Sequence, residues 1–284
     1  MNLRLLRERI YFQIFRVATA SVVVFFLAML WVFISNSFGA VTWTFLVDTP
    51  RRGMTEGGIM PAILGTAYLT FVTIVMALPV GVSAAIYLVE YAKEGRLVSV
   101  INSAITNLAG VPSIIHGLFG FGLFVIYLGF GTSILSGALS LFLLVLPVVI
   151  SASREALLSV PKSFREGSLA LGATKWQTIR HNVLPHAVPG ILTGAILAVA
   201  RAAGETAPII LTATFFFRPS LPKSLLDGTM ALASHIYYMA TQHPNMLLVR
   251  PLTYGTALVL LGLVLSLNLT AIIIRTMHRR SKTW

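Results

Sequence analysis

Residues 163–208 read SFREGSLALGATKWQTIRHNVLPHAVPGILTGAILAVARAAGETAP, and this stretch changes character near its midpoint. Its first half is polar and basic, whereas its second half is apolar and rich in small residues. The apolar half nevertheless contains Arg201 and Glu205. An Arg near the centre of a membrane span costs at least about 2.5 kcal/mol on insertion scales, so such residues indicate function. The stretch therefore predicts a polar segment outside the membrane, followed by a spanning helix with a functional charge pair.

The composition of the rest of the chain indicates that lipid is its main solvent. Of its 284 residues, 56% are hydrophobic and only 11% are charged, and the mean hydropathy is +0.85. The net charge of +12 comes from short Lys and Arg clusters between long uncharged runs. That pattern is typical of loops that flank membrane spans and argues against nucleic acid as a partner. The absence of Cys excludes disulfides, Cys-based metal sites and a thiol nucleophile.

Apolar runs of spanning length set the fold class. A spanning helix needs about 20 mostly apolar residues. Such runs lie at about 17–34, at 59–89, twice within the charge-free 97–153 with a break near the Gly-rich 128–137, at 188–208 and at 252–274. We therefore predict an all-α polytopic membrane protein with about six transmembrane helices.

The chain divides into three predicted parts with a defined orientation. They are an N-terminal arm with the first span and an external loop (1–56), a transmembrane domain (57–276) with a polar loop (154–186), and a tail (277–284). With six spans both termini share one side, and that side holds fifteen of the 21 Lys and Arg residues. The positive-inside rule then predicts cytoplasmic termini and a cytoplasmic polar loop. The first span has no small-residue cleavage site behind it, which predicts that it is not cleaved.

Helix-end signals in the polar loop predict two short helices. Ser163 and Glu166 fit a capping box, in which each side chain satisfies a free backbone N–H at a helix start. Thr174 and Gln177 repeat that pattern, and Gly172 between the two boxes suits a left-handed helix stop. The loop is therefore predicted to be two capped helices hinged at Gly172.

The same loop carries apolar residues on a basic background. Leu169, Ala173 and Trp176 recur at helix-like spacing. They fit either a docking surface for a soluble partner or an interfacial helix that lies on lipid headgroups. In the second case Trp176 would be an anchor, with Lys175 and Arg180 extending to the headgroups.

The fifth span combines close packing with the charge pair. Gly190, Gly194 and Ala198 form a small-xxx-small series that lets membrane helices approach closely. Arg201 falls near the same helix face, and Glu205 is within its reach at i, i+4. The guanidinium offers a planar fork of donors that suits oxyanions. One interpretation is a substrate-pathway site, and the other is a buried pair that only sets helix register.

A second candidate element lies within 97–153. Pro112 removes a backbone hydrogen bond and should loosen the helix near Gly110, and Ser113 adds a hydroxyl there. Broken helices in transporters expose backbone groups to substrate, although a packing kink is the alternative. The six His residues are scattered without metal-ligand spacing, and no Walker-type phosphate loop is present. We therefore predict no metal site and no ATP site in this chain.

The polar loop resembles a known motif. Glu166-Gly167-Ser168-x-x-x-Gly172, followed by Leu184-Pro185, resembles the EAA loop of ABC-importer permeases, with Gly167-Ser168 in place of the usual Ala-Ala. The resemblance implies a type I importer permease fold in which this loop is a coupling helix that docks on a cytoplasmic ATPase. The coupling residues that it implies are Glu166, Gly172, Ala173, Trp176, Leu184 and Pro185.

Further segments resemble the phosphate-specific permeases, and within these the PstA type. The matching segments are ARAAGETAP (200–208), GGIMPAILGT (57–66), AGVPSIIHGLFGFG (109–122) and MALASHIYYMA (230–240). The resemblance implies inward transport of inorganic phosphate across the inner cell membrane. The substrate-pathway residues that it implies are Arg201, Glu205, Ser113 and Thr206.

The resemblance also implies a set of partners. They are a second, PstC-like permease subunit, a homodimeric PstB-like ATPase that holds ATP and Mg, an extracytoplasmic PstS-like phosphate-binding protein, and membrane lipid. No cofactor is implied in this chain, which is predicted to be a transport subunit and not an enzyme. Alternatives are a permease for another oxyanion (phosphonate, molybdate or sulfate) and a passive anion channel. An intramembrane enzyme would have only Arg201, Glu205 and His116 to work with.

Overall fold

The structure is a computed structural model that describes residues 3–93 and 95–280. Its helices are α1 (Leu3–Ser37), α2 (Trp43–Val47), α3 (Met60–Ile86), α4 (Arg96–Ala109), α5 (Ser113–Gly120), α6 (Ile134–Leu158), α7 (Lys162–Ala170), α8 (Lys175–Thr178), α9 (Leu184–Gly204), α10 (Ala207–Thr212), α11 (Leu232–Thr241) and α12 (Met246–Arg280). Wider π-helical turns extend α3 through Tyr87–Tyr91, extend α5 through Phe121–Tyr127, and precede α9 at Ile179–Val183. The predicted tail (277–284) lies outside the described residues from 281 onward.

The prediction of an all-α polytopic membrane protein is confirmed. Five helical segments are long and apolar enough to cross a membrane: Arg7–Ser37, Met60–Tyr91, Ile134–Leu158, Lys175–Gly204 and Met246–Met277. A sixth crossing is available if the helices Arg96–Ala109 and Ser113–Tyr127 together form one broken span. Outside the helices, the described chain has a short antiparallel hairpin of β1 (Pro50–Arg51) and β2 (Glu56–Gly57), in which Pro50 pairs with Gly57.

The sixth crossing is sharply bent near Pro112, where the sequence predicted only a loosened helix. Its two halves meet at 101° between Ala109 and Ser113. Pro112 has no N–H to donate, and a residue that precedes a proline avoids the helical region, so α4 stops and α5 begins afresh at Ser113.

Helix α6 lies at the centre of the packed helices, against α3 on one side and α9 on the other. The contacts between these helices pair small side chains with larger ones. Ala77 of α3 and two alanines of α9 (Ala198 and Ala202) pack against α6. The α6 residues in this cluster are Leu144, Val145 and Val149. The apolar windows of α1 and α12 are not buried within the chain, which suits helices that face lipid.

The predicted close packing of α9 is present, and it sets the depth of the charge pair. A Cβ placed on Gly190 would lie 2.5 Å from Cβ of Ala156, and one on Gly194 would lie 2.4 Å from Cβ of Ala152. These two contacts show that α9 runs antiparallel to α6. Continuing the same register places Arg201 level with Val145, close to the middle of α6.

The segment between α10 and α11 packs against the start of α6, where the backbone N–H of Ile134 donates to the carbonyl of Asp227 at 2.9 Å. Phe215 and Thr229 are joined by a backbone hydrogen bond of 3.0 Å. The Asp227 carboxylate accepts hydrogen bonds from the backbone N–H of Lys223 and of Ser224, and these bonds hold the pKa of Asp227 below its usual value. The segment is therefore an ordered turn and not a slack connection.

Candidate substrate pathway and coupling surface

The charge pair lies at the point where α9 ends. Nε of Arg201 is 3.4 Å from Oε1 of Glu205, as the i, i+4 spacing predicts. However, α9 stops at Gly204, and Glu205 is extended with φ −72° and ψ 139°. The prediction of one continuous span over 188–208 is therefore wrong at its end. Pro208 in the first turn of α10 favours a new helix start, and Gly204 weakens the last turn of α9.

Both members of the pair are accessible from outside the packed helices. The Arg201 side chain is 33% exposed and that of Glu205 is 18% exposed. Within residues 3–93 and 95–280, the Arg201 side chain makes one hydrogen bond, in which its Nε donates to Oε1 of Glu205. Both terminal amino groups of the guanidinium are thus free to donate to a ligand.

The broken crossing and α10 bring Ser113 and Thr206 to the same region. A Cβ on Gly117 would lie 2.8 Å from Cα of Pro208, and one on Gly120 would lie 3.3 Å from Cγ2 of Thr212. Positions along the two helices advance together, so α5 and α10 are parallel, and in this register α5 starts about one turn before α10. Helix α5 starts at Ser113, and α10 starts at Ala207, the residue after Thr206 and two after Glu205. The register thus places Ser113 near the level of Gly204, and the role of the four predicted pathway residues stays a prediction.

The polar loop (154–186), called the coupling loop below after its predicted role, has two short helices, but only one of the two predicted capping boxes. Helix α7 begins at Lys162 after Pro161, and no side chain caps it, so the predicted box of Ser163 and Glu166 is wrong. The fixed φ of Pro161 starts the helix early and places Ser163 inside the first turn. The second box is confirmed: N of Thr174 donates to Oε1 of Gln177 at 2.8 Å, and N of Gln177 donates to Oγ1 of Thr174 at 3.3 Å.

Gly172 and the apolar residues shape the outer surface of this loop. Gly172 has φ +84°, the left-handed conformation predicted for the hinge. Leu169 and Trp176 are about half exposed, whereas Ala173 is partly buried. Leu171 is 91% exposed, and sequence reasoning missed it because it lies off the helical spacing of the others. Glu166 is exposed beside them.

A buried ion pair fastens this loop to the transmembrane helices, and sequence reasoning also missed it. Nε and Nη2 of Arg165 donate to Oε1 of Glu90 at 3.0 and 2.8 Å. The same guanidinium donates to the carbonyls of Val160 and Leu157 at 2.8 and 2.9 Å. Glu90 lies in the π-helical turn after α3 and its side chain is 8% exposed. A lone Glu at the end of an apolar run was the only sequence signal.

The loop then passes directly into α9. Leu184 is its first residue, and Pro185 lies in its first turn, where a proline is tolerated. The rings of Phe164 and His186 pack at 4.9 Å between centroids, so α7 contacts the start of α9. The loop is therefore both continuous with and packed against the helix that carries Arg201.

Comparison with known proteins identifies the family. The family described as "Binding-protein-dependent transport system inner membrane component" matches residues 77–283. The chain belongs to this family. Its members are transport components, which agrees with a prediction of a permease subunit.

Among curated relatives, this family member is similar to several permeases. It is 40% identical over 261 residues to "Phosphate transport system permease protein PstA 1" of Mycobacterium tuberculosis, covering 89% of this chain and 84% of the relative. It is 38% identical to "Phosphate transport system permease protein PstA" of Mycobacterium leprae, covering 85% and 79%. It is 33% identical to "Probable ABC transporter permease protein YqgI" of Bacillus subtilis, covering 74% and 75%.

Solved structures show that the fold is that of ABC-importer permeases. A chain of a bacterial ABC transporter involved in import of the acidic polysaccharide alginate superposes with a TM-score of 0.68 at 13% identity, covering 99% of this chain and 100% of that one. A chain of the inward-facing MetNI methionine ABC transporter gives 0.63 at 19% identity, covering 76% and 94%. At these identities the likeness concerns the fold alone.

Within the described residues of this family member, no group of three His, Cys, Asp or Glu side chains could hold a metal ion. Among the described residues, the site offers the free N–H donors of the accessible Arg201 guanidinium. Such a site can bind and release an anion.

Proposed function

We propose that this chain is the PstA-type permease subunit of an ABC importer that moves inorganic phosphate into the cell. The observation that carries the proposal is the accessible guanidinium of Arg201, which lies at the middle depth of the helix bundle and uses one of its five N–H donors. An oxyanion with several acceptor atoms suits a fork of free N–H donors. The two mycobacterial relatives are named phosphate permeases, which supports phosphate among the oxyanions.

Glu205 gives the proposed site a way to release its ligand. While the site is empty, its carboxylate compensates the charge of Arg201. When phosphate arrives, the two anions compete for one guanidinium, so phosphate is held more weakly than by a lone Arg. The hydroxyls of Ser113 and Thr206 would donate to the remaining phosphate oxygens.

Coupling to ATP hydrolysis is proposed to enter through α7 and α8. Leu171 and Trp176 project from this loop and would dock in a groove of a homodimeric, PstB-like ATPase that holds ATP and Mg. Glu166, Gly172 and Ala173 shape that surface, and Leu184-Pro185 joins it to α9. The positive-inside rule supports a cytoplasmic position for this loop and for both termini.

The remaining partners follow from the same proposal. A second, PstC-like permease subunit would complete the pathway. An extracytoplasmic, PstS-like protein would deliver phosphate to the side that holds the hairpin and the segment before α11. No cofactor is proposed in this chain.

The test is co-purification from native membrane, identification of the subunits, and uptake assays on the reconstituted complex. We expect an ATPase, a second permease and a binding protein, together with ATP-dependent uptake of radiolabelled phosphate. Excess unlabelled phosphate should suppress uptake, and sulfate, molybdate or phosphonate should not. Preferential uptake of one of those anions would replace phosphate as the substrate, and uptake without ATP would indicate a passive channel instead.

A further inference from the structure

A polar groove lies outside the site described above, where α3 and α6 end near the coupling loop. Its volume is about 660 Å³. Its walls come from three elements: the end of α3 with the turn after it, one face of α4, and the last turns of α6. None of the predicted pathway residues lines it.

The α4 wall is a continuous polar stripe. Its five polar residues, spaced i, i+3, i+4, i+7 and i+8 and therefore on one helix face, are Ser99, Asn102, Ser103, Thr106 and Asn107. The other side of α4 presents the exposed apolar residues Leu97 and Leu108. Thr106 donates to the carbonyl of Asn102, and within the described ranges the other four side chains make no hydrogen bond. An amphipathic helix thus turns its unused donors and acceptors into the groove.

Among the described residues that line this groove, Arg154 is the charged one. It lies on α6 and is partly buried. Among residues 3–93 and 95–280 it has neither an ion pair nor a hydrogen bond. Two described carboxylates that are close in the sequence or the fold form no ion pair with Arg154. Glu90 is paired with Arg165, and Glu155 lines a separate groove against α9. A partly buried cation without a partner carries a desolvation cost that a bound anion would offset.

We propose that this groove binds a phosphate-type oxyanion through Arg154, with the stripe on α4 donating to its oxygens. If the proposed function holds, the groove is an exit station for transported phosphate. Arg154 lies nine residues beyond Val145, so it is about 13 Å nearer to the coupling loop than the level of Arg201. The stripe also ends at Asn107, just before the bend that leads to Ser113.

The absence of Cys in this chain makes a direct test possible. Ser103→Cys places one thiol in the groove, and its reaction with a small negatively charged thiol reagent can be followed on the separated subunit. The complex is held in nanodiscs of phosphatidylcholine, and inorganic phosphate is the probe. Sodium chloride at matched ionic strength controls for screening, and Arg16→Gln controls for loss of one exposed positive charge.

Inorganic phosphate should slow labelling of Cys-substituted Ser103 several-fold, and the Arg16→Gln background should behave the same way. Arg154→Gln should weaken this protection by roughly tenfold or more in phosphate concentration, since charge-assisted hydrogen bonds are lost. Arg154→Lys should keep part of it. Equal protection with and without Arg154 would overturn the proposal, as would no protection by any phosphate compound.

A second lipid composition separates the two sources of such an anion. If phosphatidylglycerol in the nanodisc protects through Arg154 and free phosphate does not, the anion is a lipid headgroup and the exit role is overturned. Uptake by the complex is measured in parallel. Normal ATP-driven phosphate uptake without groove protection would reject the exit station alone, whereas absence of phosphate uptake would reject the proposed function.

Discussion

At the scale of single residues, placement determines what a charged side chain can do. Arg201 and Arg165 both pair with one Glu, but their surroundings differ. The Arg165 guanidinium has carboxylate and carbonyl partners and little exposure, so it is a structural tie. The Arg201 guanidinium uses one of its donors, and about a third of the side chain is exposed. Its remaining donors can therefore bind a ligand. Sequence patterns marked Arg201 because it interrupts an apolar run.

Replacing Arg201 by Ala should abolish phosphate uptake, because the site then offers the carboxylate of Glu205 to an anion. Assembly should survive, since the pair is partly exposed and does not fill the core. Uptake of radiolabelled phosphate and pull-down of the ATPase are the measurements. Arg250→Ala, an equal change near the start of α12, is the matched control. Normal uptake by the Arg201 variant would remove it from the pathway.

At the scale of elements, the coupling loop is defined by its stops and by its attachment. Gly172 and the Thr174 box end one short helix and start the next, as the sequence predicts. The Arg165–Glu90 pair joins residues 75 positions apart, and local spacing gives no sign of it. Such contacts depend on how α3, α6 and α7 come together.

Gly172→Val should weaken coupling, because a β-branched residue is strained at φ +84°. A cost of about 1–2 kcal/mol is expected for the left-handed conformation. Gly172→Asn should be closer to wild type, since Asn tolerates this region. Gly167→Ala should be neutral or stabilising, because a Cβ there meets open space. The ratio of phosphate transported to ATP hydrolysed is the readout, and equal ratios for Val and Asn would contradict the hinge.

Glu90→Gln should loosen α7 from the end of α3 and leave the Arg165 guanidinium without its anion. Breaking a buried pair from one side costs about 3–5 kcal/mol, so a lower unfolding temperature and poorer coupling are expected. The exchange Glu90→Arg with Arg165→Glu should recover part of both. Thermal unfolding and ATP-coupled uptake are measured for Glu90→Gln, for Glu90→Arg and Arg165→Glu singly, and for the double variant. Strictly additive losses in the double variant would show that the two side chains do not act together.

At the scale of the whole molecule, close packing of α6 with α9 links the coupling loop to the middle of the bundle. Gly190 and Gly194 let the helices touch through Ala152 and Ala156. Helix α9 starts in the coupling loop and ends at the charge pair. One continuous, tightly packed helix therefore joins the coupling loop to the charge pair.

Gly194→Leu should disrupt this packing, because even a Cβ would lie 2.4 Å from that of Ala152. Overpacking typically costs about 1–3 kcal/mol, and a membrane helix pair has little room to adjust. Gly262→Leu is the matched control, since a Cβ on Gly262 meets nothing within 4 Å. Thermal unfolding in detergent should show a clear loss for Gly194→Leu only, and equal effects would contradict the register.

The sequence by itself determined the spanning helices, the Gly172 stop, the Thr174 box and the contact between Arg201 and Glu205. These features depend on hydropathy and on spacings of a few residues, which covalent connectivity sets. Only the tertiary structure decided that α9 ends at Gly204, that α4 and α5 meet at 101°, that Arg165 reaches Glu90, and that Arg154 faces a polar groove. Each of these depends on packing between segments distant in the chain, where the free energy of burial selects among backbone conformations that local sequence permits.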